Sequence, residues 1–380
     1  MRLRQSYKSV RRAHDAVLRR RSFVDDPSTM DVKSARLIAR STSENSDLVT
    51  VVVPARNEEA FIGSCLDSIL AQRDVNLQIV VVDGASIDGT AKIVQSHAER
   101  DSRIEYLFNP DANIPMSLNL ALSVAKGRWL VRIDAHSKVP PDYVSRAVQH
   151  LRTGKWGGVG GRKDGVGVTA AGRAIAAAMA SRWAGSVYHY GTETRVVQHV
   201  PFGAYPTALV RELGGWDERI PANEDFEFDY RVRKEKGQDL LFDPLLVISW
   251  HCRESIAELF HQYLRYGRGK ARVLAMHHEA IEPRNVMAPL LVGLLVGAVA
   301  VFPVYPLPAL AATIPYGIFL VSVSTSRARK VRDMGAKIRI AAAYLAMHLG
   351  WGIGFWRGVV DVLRDGEKAD RTLAESLGKN

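Results

Sequence analysis

Apolar positions along this chain follow three rhythms. Residues 48–53 ("LVTVVV") and 79–82 ("IVVV") are short β-branched runs, the pattern of strands covered on both faces. Residues 129–133 ("WLVRI") repeat it. A second, helical spacing follows the first strand in Phe61, Ile62, Cys65, Leu66, Ile69 and Leu70, and another helix is expected from about Thr90. Strand and helix in alternation predict an α/β fold with a doubly wound parallel sheet. Ligand sites in such sheets lie at the carboxyl ends of the strands.

The third rhythm is an uninterrupted one. Residues 286–325 include no charged side chain over 40 positions. One helix of that length would extend about 60 Å, twice the roughly 30 Å hydrocarbon layer. Pro303, Pro306 and Pro308 stand at its centre, so the reading is a transmembrane hairpin with spans near 286–302 and 307–324. Gly293 and Gly297 form a GxxxG compatible with close helix packing. Residues 340–356 are a third apolar stretch, interrupted by His348. As a span it would deliver Arg357 and Arg364 to the disfavoured side; an interfacial or re-entrant segment avoids this, and both readings stay open. At the other end Leu3, Tyr7, Val10, His14 and Val17 recur at helical spacing among arginines. They suggest an amphipathic helix on anionic lipid, with a solvated basic arm or a transit peptide as alternatives. The expected organisation is an arm and linker at 1–47, an α/β domain at 48–280, the hairpin at 281–326, and a basic loop, third segment and tail at 327–380.

Charge sharpens the membrane reading. The net charge of +11 is concentrated at +7 in residues 1–23 and +5 in residues 327–339, leaving the rest near neutral. A nucleic-acid binder carries its excess across a folded face, so no nucleic-acid partner is expected. The basic segment after the hairpin belongs in the cytoplasm by the positive-inside rule, which puts the α/β domain there too, on an inner (plasma) membrane. Cys65 and Cys252 are far apart in sequence, without the pattern of a disulfide framework or thiolate metal site.

The polar residues at the strand ends carry the chemistry. The loop after the first strand, "PARNEE" (54–59), lacks the GxGxxG of a dinucleotide site, and "GGVGG" (157–161) comes too late to supply it. A nicotinamide oxidoreductase is disfavoured. The second strand exits into "DGASIDGT" (83–90), where Asp88 and Thr90 suit a helix cap. The third exits into Asp134 and His136, which point the same way on an extended chain and are compatible with a divalent cation. "NED" (223–225) starts a helix. Dipole and i,i+4 pairing account for Glu227 with Arg231 and Asp229 with Arg233, but not for adjacent Glu224 and Asp225.

In this order the motifs resemble a family 2 glycosyltransferase of GT-A fold, over roughly residues 49–272. "PARNEE" resembles the nucleotide-binding first loop, "VVDGASIDGT" the DDxSxDGT motif, "NED" the ED motif, and "QYLRYG" (262–267) the QxxRW motif with Tyr266 in place of its Trp. "DAH" stands where most members have DxD. With the hairpin, the chain looks most similar to the succinoglycan-biosynthesis glucosyltransferases.

The resemblance implies that Asp83 accepts the N3–H of a uracil, with Pro54, Ala55 and Glu58 around base and ribose. It implies a divalent metal (Mg or Mn) at Asp134, with His136 and His251 as further candidates. Asp225 would be the general base, Glu224 its neighbour in positioning, and Gln262 and Arg265 contacts to acceptor or phosphate. The implied activity is inverting transfer of a hexose from a UDP-sugar to a polyprenyl-linked saccharide in surface-glycan synthesis. The alternatives are a polyprenyl-phosphate sugar synthase and a catalytically silent assembly scaffold.

Overall fold

The computed structural model describes residues 48–183, 187–328 and 334–377; the amphipathic arm expected at the amino end lies outside them. β1 (Leu48–Ala55), β2 (Asn76–Asp83), β3 (Ile104–Phe108) and β4 (Trp129–Arg132) are parallel neighbours in the order 3-2-1-4. Between them come α1 (Ile62–Leu70), α2 (Thr90–Arg100) and α3 (Ile114–Val124). The pleat sorts the strand residues onto two faces. Val49, Val51, Val53, Ile79 and Val81 pack with Ile62, Cys65, Leu66 and Ile69 of α1. Val52, Val80, Val82 and Leu130 meet Leu118, Ala121 and Leu122 of α3. Cover on both faces is why these strands read as unbroken apolar runs. Truncating Leu66 to Ala within such a core costs about 2–5 kcal/mol.

The second half of the domain departs from an all-parallel sheet. It contains β5 (Ser137–Lys138), α4 (Tyr143–Arg152), β6 (Gly158–Val166), α5 (Ala170–Met179), β7 (Arg195–Val197), β8 (Ala204–Pro206), α6 (Thr207–Glu212), α7 (Glu224–Lys236) and β9 (Leu240–His251). β8 runs antiparallel to β4 and β6, and β5 and β7 run antiparallel to β9. The sheet is therefore mixed, in the order 3-2-1-4-8-6-9-5. A three-residue strand such as β8, entered from a loop rather than a crossover helix, is too short to show an apolar run in the sequence.

Four helices complete the chain: α8 (Ile256–Met276), α9 (Pro283–Val301), α10 (Pro306–Arg327) and α11 (Met334–Leu377). The last three include apolar stretches long enough to cross a membrane. The expected hairpin is present as α9 and α10, turned by the prolines at 303–308. In α9 and α10, 22% and 17% of the apolar window is buried within the protein, against 44% in α11. Ile340, Ala343, Tyr344 and Met347 of α11 join the core of the α/β domain. Close helix packing comes from glycines other than the expected pair. Among the described residues nothing approaches Gly293 and Gly297, whereas Gly350, Gly354 and Gly358 bring α11 onto the carbonyls of Phe260, Leu264 and Arg268 of α8. A side chain at any of the three would collide with that backbone.

Candidate active site

The first two loops lock each other in place. Asp88 accepts hydrogen bonds from Thr90 N, Thr90 Oγ1 and Glu59 N, while Glu59 accepts from Gly89 N. Thr90 Oγ1 accepts from Glu58 N. Asp88 and Thr90 thus build the start of α2, as their residue types suggest. Asp83 is buried at the end of β2, in register with Ala55 of β1, next to Pro54. Its carboxylate accepts from Ser86 N (3.1 Å) and the Tyr106 hydroxyl (3.0 Å). Burial and the Asp83 charge push the Tyr106 phenol well up, so it remains a donor.

Arg132, at the end of β4, joins this region to the acids of α7. Its Nε donates to Asp134 Oδ1 (2.8 Å) and its Nη1 to Glu224 Oε1 (2.9 Å). Burial disfavours the guanidinium charge, but Asp134, Glu224 and Asp225 outweigh it and hold Arg132 firmly protonated. Burial, with the Asp225 charge, raises Glu224 to about 7. Asp225 differs: its carboxylate is 30% exposed. Burial works against its charge, yet His199, Arg132, the Phe226 N–H and Lys270 together hold it below the usual range. Asn223 sets the pair's direction. It takes a left-handed φ of 66° and its Nδ2 donates to the Tyr266 carbonyl on α8 (2.9 Å).

Three basic side chains, His199, Lys163 and Lys270, surround Asp225; the sequence pointed to Lys270 only as a phosphate contact and to the other two not at all. Asp229, expected to pair with Arg233, instead accepts from His199 Nδ1 (2.7 Å), Val200 N (2.8 Å) and the Tyr205 hydroxyl (2.7 Å). That aims His199 Nε2 at Asp225 Oδ2, 3.7 Å away. Lys163 on β6 lies over the Trp250 and Phe202 rings at 3.7 and 4.7 Å. Burial lowers it to about 8 against the pull of Asp134 and Asp225. Lys270 of α8 lies over Phe226, and burial lowers it to about 7.

The two histidines differ. Residues 134–137 form a turn closed by Ser137 N on the Asp134 carbonyl, so Asp134 and His136 do not share a face. Trp250 Nε1–H donates to His136 Nε2 (2.7 Å), which leaves Nδ1 to donate to Glu58 Oε1 (2.9 Å). Both His136 nitrogens are committed, so it orients Glu58 rather than offering a lone pair to a metal. His251 stacks on Phe61 at 4.4 Å, and its buried Nδ1 has no hydrogen-bond partner. Burial, with Lys138 and His136 nearby, lowers its pKa and keeps it neutral.

Among the described residues no cluster of three or more His, Cys, Asp and Glu could hold an ion by itself. Asp134, 17% exposed with Oδ2 unbonded, suits a cation completed by substrate phosphates and water. Gln262 is buried, donating to the Tyr266 hydroxyl (3.0 Å) with Oε1 unsatisfied. Arg265 is exposed on α8 and makes no contact with this group.

Comparison with known proteins bears on the family and the fold. Residues 50–212 match the family described as Glycosyl transferase family 2. The chain is 30% identical over 325 residues to Succinoglycan biosynthesis protein ExoA of Rhizobium meliloti (strain 1021), covering 83% of this chain and 96% of that one. It is 23% identical over 239 residues to a dolichyl N-acetyl-alpha-D-glucosaminyl phosphate 3-beta-D-2,3-diacetamido-2,3-dideoxy-beta-D-glucuronosyltransferase of Methanococcus voltae, covering 60% of this chain and 74% of that one. Among solved structures, a mannosyltransferase of Pyrobaculum calidifontis in complex with GDP-Man and Mn2+ superposes with a TM-score of 0.55. That match has 21% identity over 80% of this chain and 87% of the other, which identifies the GT-A sheet as the shared fold. By its sequence and its sheet, the chain belongs to glycosyl transferase family 2.

Proposed function

We propose that this glycosyltransferase moves a hexose from a UDP-sugar to a lipid-linked saccharide with inversion at the anomeric carbon. The observation that carries the reading is the buried Arg132, which holds Asp134 and the Glu224–Asp225 pair in one cluster. Asp83 at the β2 exit supplies a carboxylate for the imide N–H of a uracil, with Pro54, Ala55 and Glu58 around the nucleoside. Asp225 is ionised at neutral pH and partly open, as a general base must be. It takes the acceptor hydroxyl's proton as that oxygen bonds to the anomeric carbon. The bond from that carbon to the diphosphate oxygen breaks, and the nucleoside diphosphate leaves with the electron pair. One direct displacement inverts the centre. Arg132 and Lys163 supply positive charge beside the departing phosphates. A divalent cation at Asp134 would add Lewis-acid neutralisation of the same charge. The GDP-Man complex of the Pyrobaculum neighbour supports a nucleotide-sugar donor, and the dolichyl phosphate substrate named for the Methanococcus relative supports a lipid-linked acceptor.

The same reading places α9 and α10 in the inner membrane as a hairpin, with the α/β domain in the cytoplasm. α11 then lies along the interface between domain and bilayer. Its contacts with α8 and the domain core favour this, and it leaves Arg357 and Arg364 on the cytoplasmic side. Membranes containing the protein, incubated with radiolabelled nucleotide sugars, test the function. Label from one UDP-hexose should enter a lipid-linked oligosaccharide, dependent on Asp225. Label in a lipid monophosphate sugar would select the polyprenyl-phosphate sugar synthase instead.

A further inference from the structure

Two cavities meet at Tyr190, the larger against α10 and the smaller beside the start of α9. The larger, about 630 Å³, is bounded by Arg182, Trp183 and Tyr190 on the domain side and by α10 residues between Pro315 and Arg327 on the other. The smaller, about 330 Å³, shares Tyr190 as a wall and is lined by Arg195, Gln198, His199 and Arg284. The smaller cavity is lined by His199, whose Nε2 is 3.7 Å from Asp225 Oδ2. The larger borders the hairpin's apolar surface, where Ile318 is 64% exposed.

The larger cavity has the chemistry of an amphiphile site. Its cations are Arg182, which lies over the Trp183 ring at 5.0 Å, and Arg327 at the end of α10; among the described residues no acidic side chain lines it. Its α10 wall is Pro315, Ile318, Phe319 and Val323, with Ser322 and Ser326 between them and the arginines' end. Guanidinium groups match phosphate oxygens in geometry and charge, and a wall of this kind takes a hydrocarbon chain. Of the three arginines of α8, Arg268 and Arg272 face Asp361 and Asp365 of α11, and Arg265 is exposed and does not line this cavity.

From this placement we infer that the larger cavity seats the phosphorylated head of the lipid-linked acceptor. Its apolar chain lies along α10. Its glycan passes Tyr190 into the smaller cavity, where the terminal hydroxyl meets Asp225. The inference rests on the lipid-linked acceptor proposed above and assigns that acceptor a location and a direction.

The test uses the full chain in detergent micelles saturated with UDP, with farnesyl diphosphate, inorganic diphosphate and farnesol as probes. Farnesyl diphosphate should bind saturably, and inorganic diphosphate and farnesol each at least tenfold more weakly. Arg182→Gln with Arg327→Gln should weaken farnesyl diphosphate binding at least tenfold. Ser322→Trp, which fills the cavity and spares both arginines, should do the same. UDP affinity should be unchanged in both, which also shows that they fold. Wild-type-like lipid binding in both variants would overturn the assignment, as would no binding to the UDP-saturated wild type. Equal binding of inorganic diphosphate would also overturn it, by making this a free-phosphate site. If UDP itself fails to bind, the donor assignment falls, and the comparison of farnesyl diphosphate between wild type and variants still decides this one.

Discussion

The two halves of the catalytic domain are held together in different ways. The donor half, β1 to β4, is a parallel sheet whose loops are closed by two contiguous motifs: residues 54–59 are hydrogen-bonded to residues 83–90. The acceptor half is assembled from distant segments. Glu224 is held by Arg132, Asp229 holds His199, and Asn223 is tied to Tyr266 on α8. α8 is in turn fixed by the glycine face of α11. The loops around Asp83 can therefore form from local chain alone, while the Glu224–Asp225 pair depends on a helix that rests against α11.

That contrast can be tested by damaging one half and reading both. The largest effect is expected from Asp225→Asn, which should lower transfer by about 10²–10⁴, the usual loss of a general base, at unchanged UDP affinity. Near-wild-type transfer would remove Asp225 from that role. Arg132→Met strikes the seam between the halves. Leaving the Asp134 and Glu224 carboxylates without their buried partner should cost about 3–5 kcal/mol of stability, read as a drop in the melting midpoint of the detergent-solubilised protein. An unchanged midpoint would mean that the guanidinium is not a structural bridge.

Smaller effects follow on each side. Asp83→Ala should weaken UDP binding by about 1.5–3 kcal/mol, the range for a hydrogen bond to a charged group, while leaving turnover of bound donor intact. A turnover defect at full UDP affinity would contradict a base-binding role. His199→Gln removes the ring that contributes most to holding Asp225 below the usual carboxylate range. The Asp225 pKa should rise, so the acid limb of the kcat/KM profile moves to higher pH while the plateau above it changes little. A superimposable profile would show that His199 does not act on Asp225.

What was legible in the sequence follows the same division. The donor half could be read because its polar residues follow the strands they terminate, and Asp88 and Thr90 form the helix start that their types suggest. The acid pair at 224–225 stood out because no helix-dipole account covered it. Asp229 did not, because an i,i+4 partner at Arg233 offered a sufficient local explanation and His199 lies 30 residues away. His136 was misjudged by assuming extended chain where a turn intervenes. Arg132 was missed, although a charge inside the apolar run "WLVRI" signals the need for a buried partner. The stripe "GWGIGFWRG" at 350–358 holds the glycines that pack; Gly293 and Gly297 drew attention because they lie within an uncharged span.

The coupling of Asp225 to α11 through α8 is tested most directly by Gly354→Leu in the full-length protein. The new side chain meets the Leu264 carbonyl and must push α8 away from α11, a misfit of about 1–3 kcal/mol. UDP affinity and lipid-acceptor transfer would be measured on the same preparation. UDP affinity should stay within about twofold, while transfer falls about tenfold, corresponding to roughly 1.4 kcal/mol at the barrier. Transfer at the wild-type rate, or a parallel loss of UDP binding, would contradict an acceptor half positioned through α8.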